Sequence, residues 1–318
     1  MYSKWFSTPE PAYQQLVTQL YGAETGASLA RVYQAELSNR ERWAHRLEWS
    51  GVVIYEAGEV KAHAIVQVMQ DKPLVYIGYV EALNDPAAAA ELIHEIRAEL
   101  RQKHPGRAVY LPVNQSIWHA YRFKTRGDCA LPFESPCKPY YDELFAKLFE
   151  TKELYASYKM GVPDQYRLEG TELPFTVREP GPDRLGEELR TIYDLALSIF
   201  QDVHSFPSFA EFAALYGGGA PGAFNLRYVL LAEAHGRPAG FIFALPLGRA
   251  VYIKTLGVAP SKQNRHVGRL LFESICRRAQ ADGYESIYGM FMKNDRLITQ
   301  LLPPDAEKVA EYALYRGG

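Results

Sequence analysis

The stretch that decides the fold is Val251–Gly283, VYIKTLGVAPSKQNRHVGRLLFESICRRAQADG. Val251 to Val258 is an apolar run and reads as a buried strand; Pro260 ends it. Ser261 to His266 is a short polar, basic loop. A helix follows, with Val267, Leu270, Leu271, Ile275 and Ala279 on one face at helical spacing and Gly283 as its C-terminal stop. Strand, basic loop and helix start, in that order, outline an anion site, because the first N–H groups of a helix have no partner within it and sit at its positive end. Lys262, Arg265 and Arg269 add positive charge there, which is unfavourable for the helix dipole unless an anion lies over the loop.

Outward from this stretch, a single order of elements occurs twice. In the second half, Tyr228–Ala234 and Ala239–Leu245 read as strands around a turn at His235-Gly236, and Ser286–Met292 reads as a strand after the helix, closed by Lys293-Asn294. In the first half, Val52–Glu56 and Val60–Met69 flank a turn at Ala57-Gly58. A third strand, Leu74–Glu81, leads to Asp85-Pro86, an N-cap followed by proline in the first turn. That helix reaches about Gln102, and Ala108–Val113 is the next strand, closed by Asn114. The identity between halves is slight, so the repeat is one of pattern, and it predicts a duplication. Helices are expected at Pro11–Tyr21, Ser28–Glu48, Asp183–Phe200 and Phe206–Tyr216, the last with a Ser208/Glu211 capping box. The polar segment Gly161–Gly170 is the expected linker, dividing a domain at 1–160 from one at 171–318.

The two copies differ where an anion would sit. The first has Ala82-Leu83-Asn84-Asp85-Pro86, without Gly or Arg, and Glu81 and Asp85 would repel a diphosphate there. Its aromatic stretches around Trp118–Phe123 and Phe133–Tyr141 fit a packed interdomain loop, or the wall of a cleft.

Gln263-Asn264-Arg265-His266-Val267-Gly268 resembles the pyrophosphate loop of the GCN5-related N-acetyltransferases, written Q/R-x-x-G-x-G/A; the first and last positions match, and His266 replaces the middle Gly. Leu256-Gly257-Val258-Ala259-Pro260 is similar to that family's pantetheine-binding strand, Asn294 stands where the family often keeps an Asn near the cofactor, and Tyr312–Tyr315 resembles its last strand. The resemblance covers about the last half of the chain. It also extends to bacterial proteins built of two such domains. It implies an α/β (α+β) fold of two tandem domains, each a mixed, mostly antiparallel sheet flanked by helices, the first degenerate and the second with a splayed-strand cofactor cleft. It further implies acetyl transfer from acetyl-coenzyme A to an amine by direct attack in a ternary complex, without a metal. Leu256, Gly257, Val258, Gln263, Asn264, Arg265, His266, Val267, Gly268, Arg269 and Asn294 would hold the cofactor. The Val258 N–H would stabilise the oxyanion. The family's usual tyrosine after Asn294 is missing, because Leu297, Ile298 and Leu301 occupy that stretch. Tyr288, Tyr312 and Tyr315 are the candidates for the acid, and His204, beside Asp202, for the base.

Composition limits the alternatives. The 318 residues are 47% hydrophobic and 23% charged, with a net charge of -2, as in a soluble globular protein. No global field favours nucleic acid or a membrane. Three cysteines without a Cys-x-x-Cys pair read as free thiols in a reducing cytoplasm. The N-terminus has no apolar core of a signal peptide, and no stretch approaches the roughly 20 apolar residues of a span. The expected partner is a small-molecule or amino-group acceptor, and a homodimer is compatible. Two other readings are weighed: a non-catalytic binding protein of the doubled fold, and an aminoacyl-tRNA-dependent transferase, against which the near-neutral charge counts.

Overall fold

A computed structural model describes residues 1–7, 11–38, 46–128, 130–162, 174–200, 207–216, 225–263, 266–293 and 297–318. In chain order the elements are β1 (Tyr2–Phe6), α1 (Pro11–Tyr21), α2 (Ala23–Ser38), β2 (Leu47–Glu56), β3 (Glu59–Met69), β4 (Leu74–Ala82), α3 (Pro86–Lys103), β5 (Ala108–Leu111), β6 (Phe123–Arg126), α4 (Tyr141–Phe145) and β7 (Thr151–Gly161). Then come β8 (Thr176–Arg178), α5 (Leu185–Phe200), α6 (Phe209–Tyr216), β9 (Val229–Ala234), β10 (Arg237–Leu247), β11 (Ala250–Val258), α7 (Val267–Ala281), β12 (Ser286–Lys293) and β13 (Glu307–Gly317). They form two compact units. One comprises Met1–Arg126, Glu134–Leu154 and Tyr312–Gly318; the other comprises Gly127–Phe133 and Tyr155–Glu311. No helix among the described residues is long and apolar enough to cross a membrane.

The duplication is explicit in the strand pairing. In the first unit β1 to β4 pair antiparallel in sequence order, β4 and β5 pair in parallel, and the end of β13 pairs antiparallel with β5. In the second, β8 to β11 pair antiparallel in order, β11 and β12 in parallel, and β7 antiparallel with β12. The hairpin turns correspond as well. Ala57 and Gly58 in one, and His235 and Gly236 in the other, all have positive φ, the backbone that joins two right-twisted strands most tightly.

The closing strand of each unit is drawn from the other half of the sequence. Tyr312–Gly318 was expected at the end of the second domain, yet it completes the first unit, where Tyr315 lies opposite Leu111 and Gly317 opposite Val109. Tyr315 is fully buried there, among Phe123, Phe149 and the apolar faces of β2 to β5, and its hydroxyl donates to Asp142. A second difference concerns the helix expected to continue to Glu48. α2 is described over Ala23–Ser38, residues 39–45 lie outside the described ones, and Leu47 already belongs to β2, paired with Met69. Tertiary pairing along β3 takes these residues from the helical pattern.

The two cores sit between sheet and helix. α3 packs Leu92, Ile93 and Ile96 on the first sheet, and α7 packs Val267, Leu271 and Ile275 on the second. The first unit also buries ionisable groups. Glu81 accepts hydrogen bonds from the hydroxyls of Tyr21 (3.0 Å) and Tyr141 (2.6 Å), and burial raises its pKa to about 7 against the opposing effect of those hydroxyls. His63 is wholly enclosed, between the Tyr33 hydroxyl at 3.2 Å and the Tyr79 carbonyl at 3.0 Å, and burial lowers its pKa to about 4. These two shifts work in opposite directions. Between pH 4.5 and about 7 the folded chain binds the Glu81 proton more tightly than the unfolded chain, so that contribution to stability declines as pH rises. Between about pH 4 and 6.5 the unfolded chain binds the His63 proton more tightly, so that contribution declines as pH falls. The two contributions offset one another between about pH 4.5 and 6.5, so the melting temperature is expected to be level across that range and to fall between about pH 6.5 and 7, and Glu81→Gln is expected to replace this course with a rise toward pH 6.5. An unaltered alkaline slope in that variant, measured by circular dichroism melts, would remove Glu81 from the account.

Candidate active site

The second unit places a helix start beside a gap in its sheet. β11 and β12 keep parallel register only from Ala250↔Ser286 to Ile253↔Gly289. Beyond that pair each strand stays with its outer neighbour: β11 pairs with β10 as far as Val258↔Gly240, and β12 with β7 as far as Lys293↔Tyr155. The inner edges of residues 254–258 and 290–293 therefore face a wedge. A bulge in the β10–β11 pairing falls at the point of divergence, between Phe243 and Ala244, and Lys254 is the extra residue.

The wedge runs between the two faces of the sheet. Leu256 and Val258 pack toward α7, since a Cβ on Gly268 would lie 3.5 Å from both side chains. Gly257 faces the other way, where a Cβ would meet Phe241 at 2.7 Å and Ile199 of α5 at 3.0 Å. Gly240 lies directly beneath the first residue of α7, with space for a Cβ closed by Val267 and the Gly257 carbonyl, each at 2.9 Å. Helix and strand are thus held close together at the wedge by two residues without side chains.

Among the described residues no side chain caps the start of α7. His266 occupies the N-cap position in the left-handed conformation, φ 64° and ψ 5°, and its side chain makes no capping hydrogen bond. The imidazole is exposed. No acidic residue stands in the first turn. The backbone has therefore taken the geometry that glycine favours at this position, at a cost of about 1–2 kcal/mol for a residue with a Cβ. Arg269 leans back along the helix to Glu273 (3.2 Å), whose buried carboxylate also meets Arg277 (3.5 Å).

The corresponding place in the first unit is closed. Asp85 caps α3 by accepting from the N–H groups of Ala87 (3.0 Å) and Ala88 (3.1 Å). Where β4 and β5 would part, the Val113 N–H donates to the Ile77 carbonyl (2.9 Å) and the Asn114 side chain accepts from the Tyr79 N–H (2.7 Å). Gln67 holds the same loop from below, bonding the Val113 carbonyl and the Gln115 N–H. Gly78 has no room for a side chain, because a Cβ would lie 2.4 Å from the Val113 carbonyl oxygen.

Of the expected site residues, Leu256, Gly257, Val258, Gln263, His266, Val267, Gly268 and Arg269 are brought together around the wedge and the start of α7. Asn264, Arg265, Asn294 and His204 lie outside the described residues. Tyr288 is half-buried, stacked on Tyr252 at 4.6 Å in the part of the sheet that is still paired. Tyr315 belongs to the first unit's core and is not part of this cluster. On the sheet face opposite α7, an aromatic group comes together that the sequence reading did not assemble. Tyr216 stacks on Phe243 (4.7 Å, interplanar 5°), Phe212 and Tyr193 lie behind, and the Lys254 ammonium stands 5.0 Å from the ring centres of both Tyr216 and Phe133. Burial raises the Tyr216 pKa. The Ser208/Glu211 capping box that starts α6 is present, with bonds of 2.7 and 3.3 Å.

The left-handed N-cap makes a distinction that can be measured. His266→Gly is expected to leave stability within about 0.5 kcal/mol, since relief of strain is offset by the freedom glycine gives the unfolded chain. His266→Val is expected to lower stability by about 1–2 kcal/mol, because a β-branched residue is poorly tolerated at positive φ. Equal denaturant midpoints for the two variants would contradict the conformation described.

Comparison with known proteins bears on the family and the fold. Residues 189–298 match the model of the Acetyltransferase (GNAT) family. Among curated proteins, none matches the chain. Among solved structures, a GCN5-related N-acetyltransferase from Sphaerobacter thermophilus is similar at 13% identity, with 99% of this chain and 95% of that one covered and a TM-score of 0.55. A probable N-acyltransferase from Enterococcus faecalis V583 gives 12% identity, 99% and 72% coverage and a TM-score of 0.60. A tandem GNAT protein from the clavulanic acid biosynthesis pathway gives 12%, 99% and 98%, with a TM-score of 0.52. At these identities the likeness concerns the fold.

Proposed function

We propose that this chain, whose residues 189–298 form a GNAT-family domain within a tandem GNAT fold, transfers an acetyl group from acetyl-coenzyme A to an amine acceptor, both substrates being bound together. The observation that carries the reading is the uncapped start of α7 beside the wedge between β11 and β12. Unpartnered N–H groups at a helix start are the usual ligands of a diphosphate. Gln263 to Arg269, including Asn264 and Arg265, would hold that group. Leu256, Gly257, Val258 and Asn294 would line the pantetheine arm as it passes through the sheet. With no acidic side chain in the first turn of α7, nothing there repels the substrate's charge.

The chemistry asks little of the side chains. A neutral amine attacks the thioester carbonyl, a C–N bond forms and the C–S bond breaks. The Val258 N–H is assigned to the oxyanion that develops on the carbonyl oxygen. The amine proton leaves to His204 or through water, and the thiolate takes a proton from Tyr288. Tyr288 is preferred over Tyr315 because it belongs to this unit, whereas the Tyr315 hydroxyl is engaged by Asp142. The first unit holds no second copy of the reaction, since Asp85 and Asn114 occupy the groups a cofactor would need.

Titration of the full chain with coenzyme A by calorimetry is expected to give one site per chain, with an affinity between low micromolar and millimolar, weakened more by Arg265→Ala than by Lys61→Ala. Acetyl-coenzyme A and a panel of amines are expected to release free thiol. No heat and no thermal shift at saturating coenzyme A would end the reading, and two equivalent sites would contradict the closure of the first unit.

A further inference from the structure

The end of α3 opposite Asp85 borders a groove of about 350 Å³. Arg97 and Arg101 line it from the helix, and Lys147 and Glu150 from the segment after α4. Phe149 gives it an apolar wall. Gly318 completes the lining, and its N–H donates to a Glu150 carboxylate oxygen at 3.4 Å. All of these residues belong to the first unit. The side chains lining the groove therefore carry a surplus of two positive charges, in a chain whose net charge is -2.

The helix alone does not explain this cluster. Cations in the last turn of a helix offset its negative end, which accounts for Arg101 and Lys103. Lys103 meets Glu99 at 2.5 Å and is not part of the groove lining. Arg97 stands a turn earlier than Arg101. Residues four apart are neighbours on a helix surface, where like charges repel. Lys147, on the single 3-10 turn Ala146–Leu148, brings a third positive charge to the same space from a separate element.

Arg97 is held in place by the chain itself. It is half-buried, its guanidinium donates to the Leu148 carbonyl (2.5 Å), and it lies 5.3 Å from the centre of the Phe149 ring. A Cβ on Gly317 would lie 3.2 Å from Arg97 Nη2, so the strand beside it leaves just enough room for the guanidinium. Arg101 and Lys147 are exposed at the rim. Guanidinium groups suit phosphate oxygens through paired hydrogen bonds, and an ammonium adds a compact charge. A carboxylate offers two oxygens and one charge, whereas a phosphate monoester offers three oxygens and a charge of about -1.5 to -2 at pH 7. The second matches both the number of cations and their surplus.

We propose that this groove binds a small phosphate-bearing ligand, its phosphate held by Arg97, Arg101 and Lys147 and its remainder resting on Phe149. The volume is at the small end of ligand pockets, which run from about 300 to 1,000 Å³, and suits a compact metabolite. The first unit, whose cleft is closed, thereby has a binding site of its own. The inference is independent of acetyl transfer by the second unit.

The test titrates the full chain, without coenzyme A, with inorganic pyrophosphate, adenosine monophosphate and citrate, using calorimetry at low and high salt. At least one of the two phosphate probes is expected to bind with Kd below about 1 mM at low salt, and more weakly at high salt. Arg101→Gln and Lys147→Gln are each expected to weaken that binding by about tenfold. Lys103→Gln, which removes the same charge from the same helix, and Arg265→Ala, in the loop before α7, are expected to leave it within about twofold. In the unaltered chain, the bound probe is expected to slow acetylation of Lys147 by an N-hydroxysuccinimide ester, read by mass spectrometry, with Lys103 unaffected. Binding of neither phosphate probe, tighter binding of citrate, equal weakening by Lys103→Gln, or an unchanged rate at Lys147 under saturating probe would each overturn the proposal. Failure of the coenzyme A titration would leave it standing, since every probe is read without coenzyme A.

Discussion

The structure turns on what becomes of the first N–H groups of two equivalent helices. A helix cannot satisfy these donors itself, and in a packed domain they must find an acceptor, either from the chain or from outside it. In the first unit the chain provides one. Asp85 takes two of the donors of α3, and its negative charge lies at the positive end of the helix. In the second unit the chain places His266 there, left-handed and exposed, and the side chain provides no acceptor. One fold thus yields one helix start capped by its N-cap side chain and one whose N-cap side chain makes no such bond. The rest of each cleft follows suit, plugged by Val113 and Asn114 in one unit and parted in the other.

That contrast also explains why the first unit tolerates so many buried polar groups. Filling a cleft with backbone and amide groups requires each to be paired, because an unmade hydrogen bond in the interior costs about 1–3 kcal/mol. Gln67 and Asn114 form such a set, Gln67 bonding the Val113 carbonyl and the Gln115 N–H, and Asn114 accepting from the Tyr79 N–H. Tyr79 and His63 extend it, the Tyr79 hydroxyl donating to Glu36 and accepting from Gln115, and His63 meeting the Tyr79 carbonyl at 3.0 Å. The unit is specified by polar complementarity as much as by its apolar core.

Much of this was legible in the sequence because it is encoded locally. The cap Asp85-Pro86, the capping box Ser208/Glu211, the turns at Gly58 and Gly236, and the strand–loop–helix of Val251–Gly283 each depend on residues within a few positions of one another. What was not legible depends on distant partners. Tyr312–Tyr315 reads equally well as the last strand of either unit, since alternation fixes a face but not a neighbour; Leu111 and Asp142 decide it. Leu47 leaves the helical pattern because Met69 pairs with it. In the candidate site, the loop residues followed from spacing, but the meeting of Phe133 with Lys254 and Tyr216 joins three remote segments, and no pattern in any one of them announces it.

The bulge at Lys254 connects these levels. A strand that kept strict alternation past Ile253 would turn Thr255 and Gly257 toward α7 and Leu256 and Val258 away from it. An extra residue resets that parity, twists the strand locally and helps it diverge from its parallel neighbour. Leu256 and Val258 thereby face α7 together with Ile253, while Gly257 leaves space beside Ile199. The same irregularity at which the two strands part therefore also carries two apolar side chains onto the α7 face of the wedge.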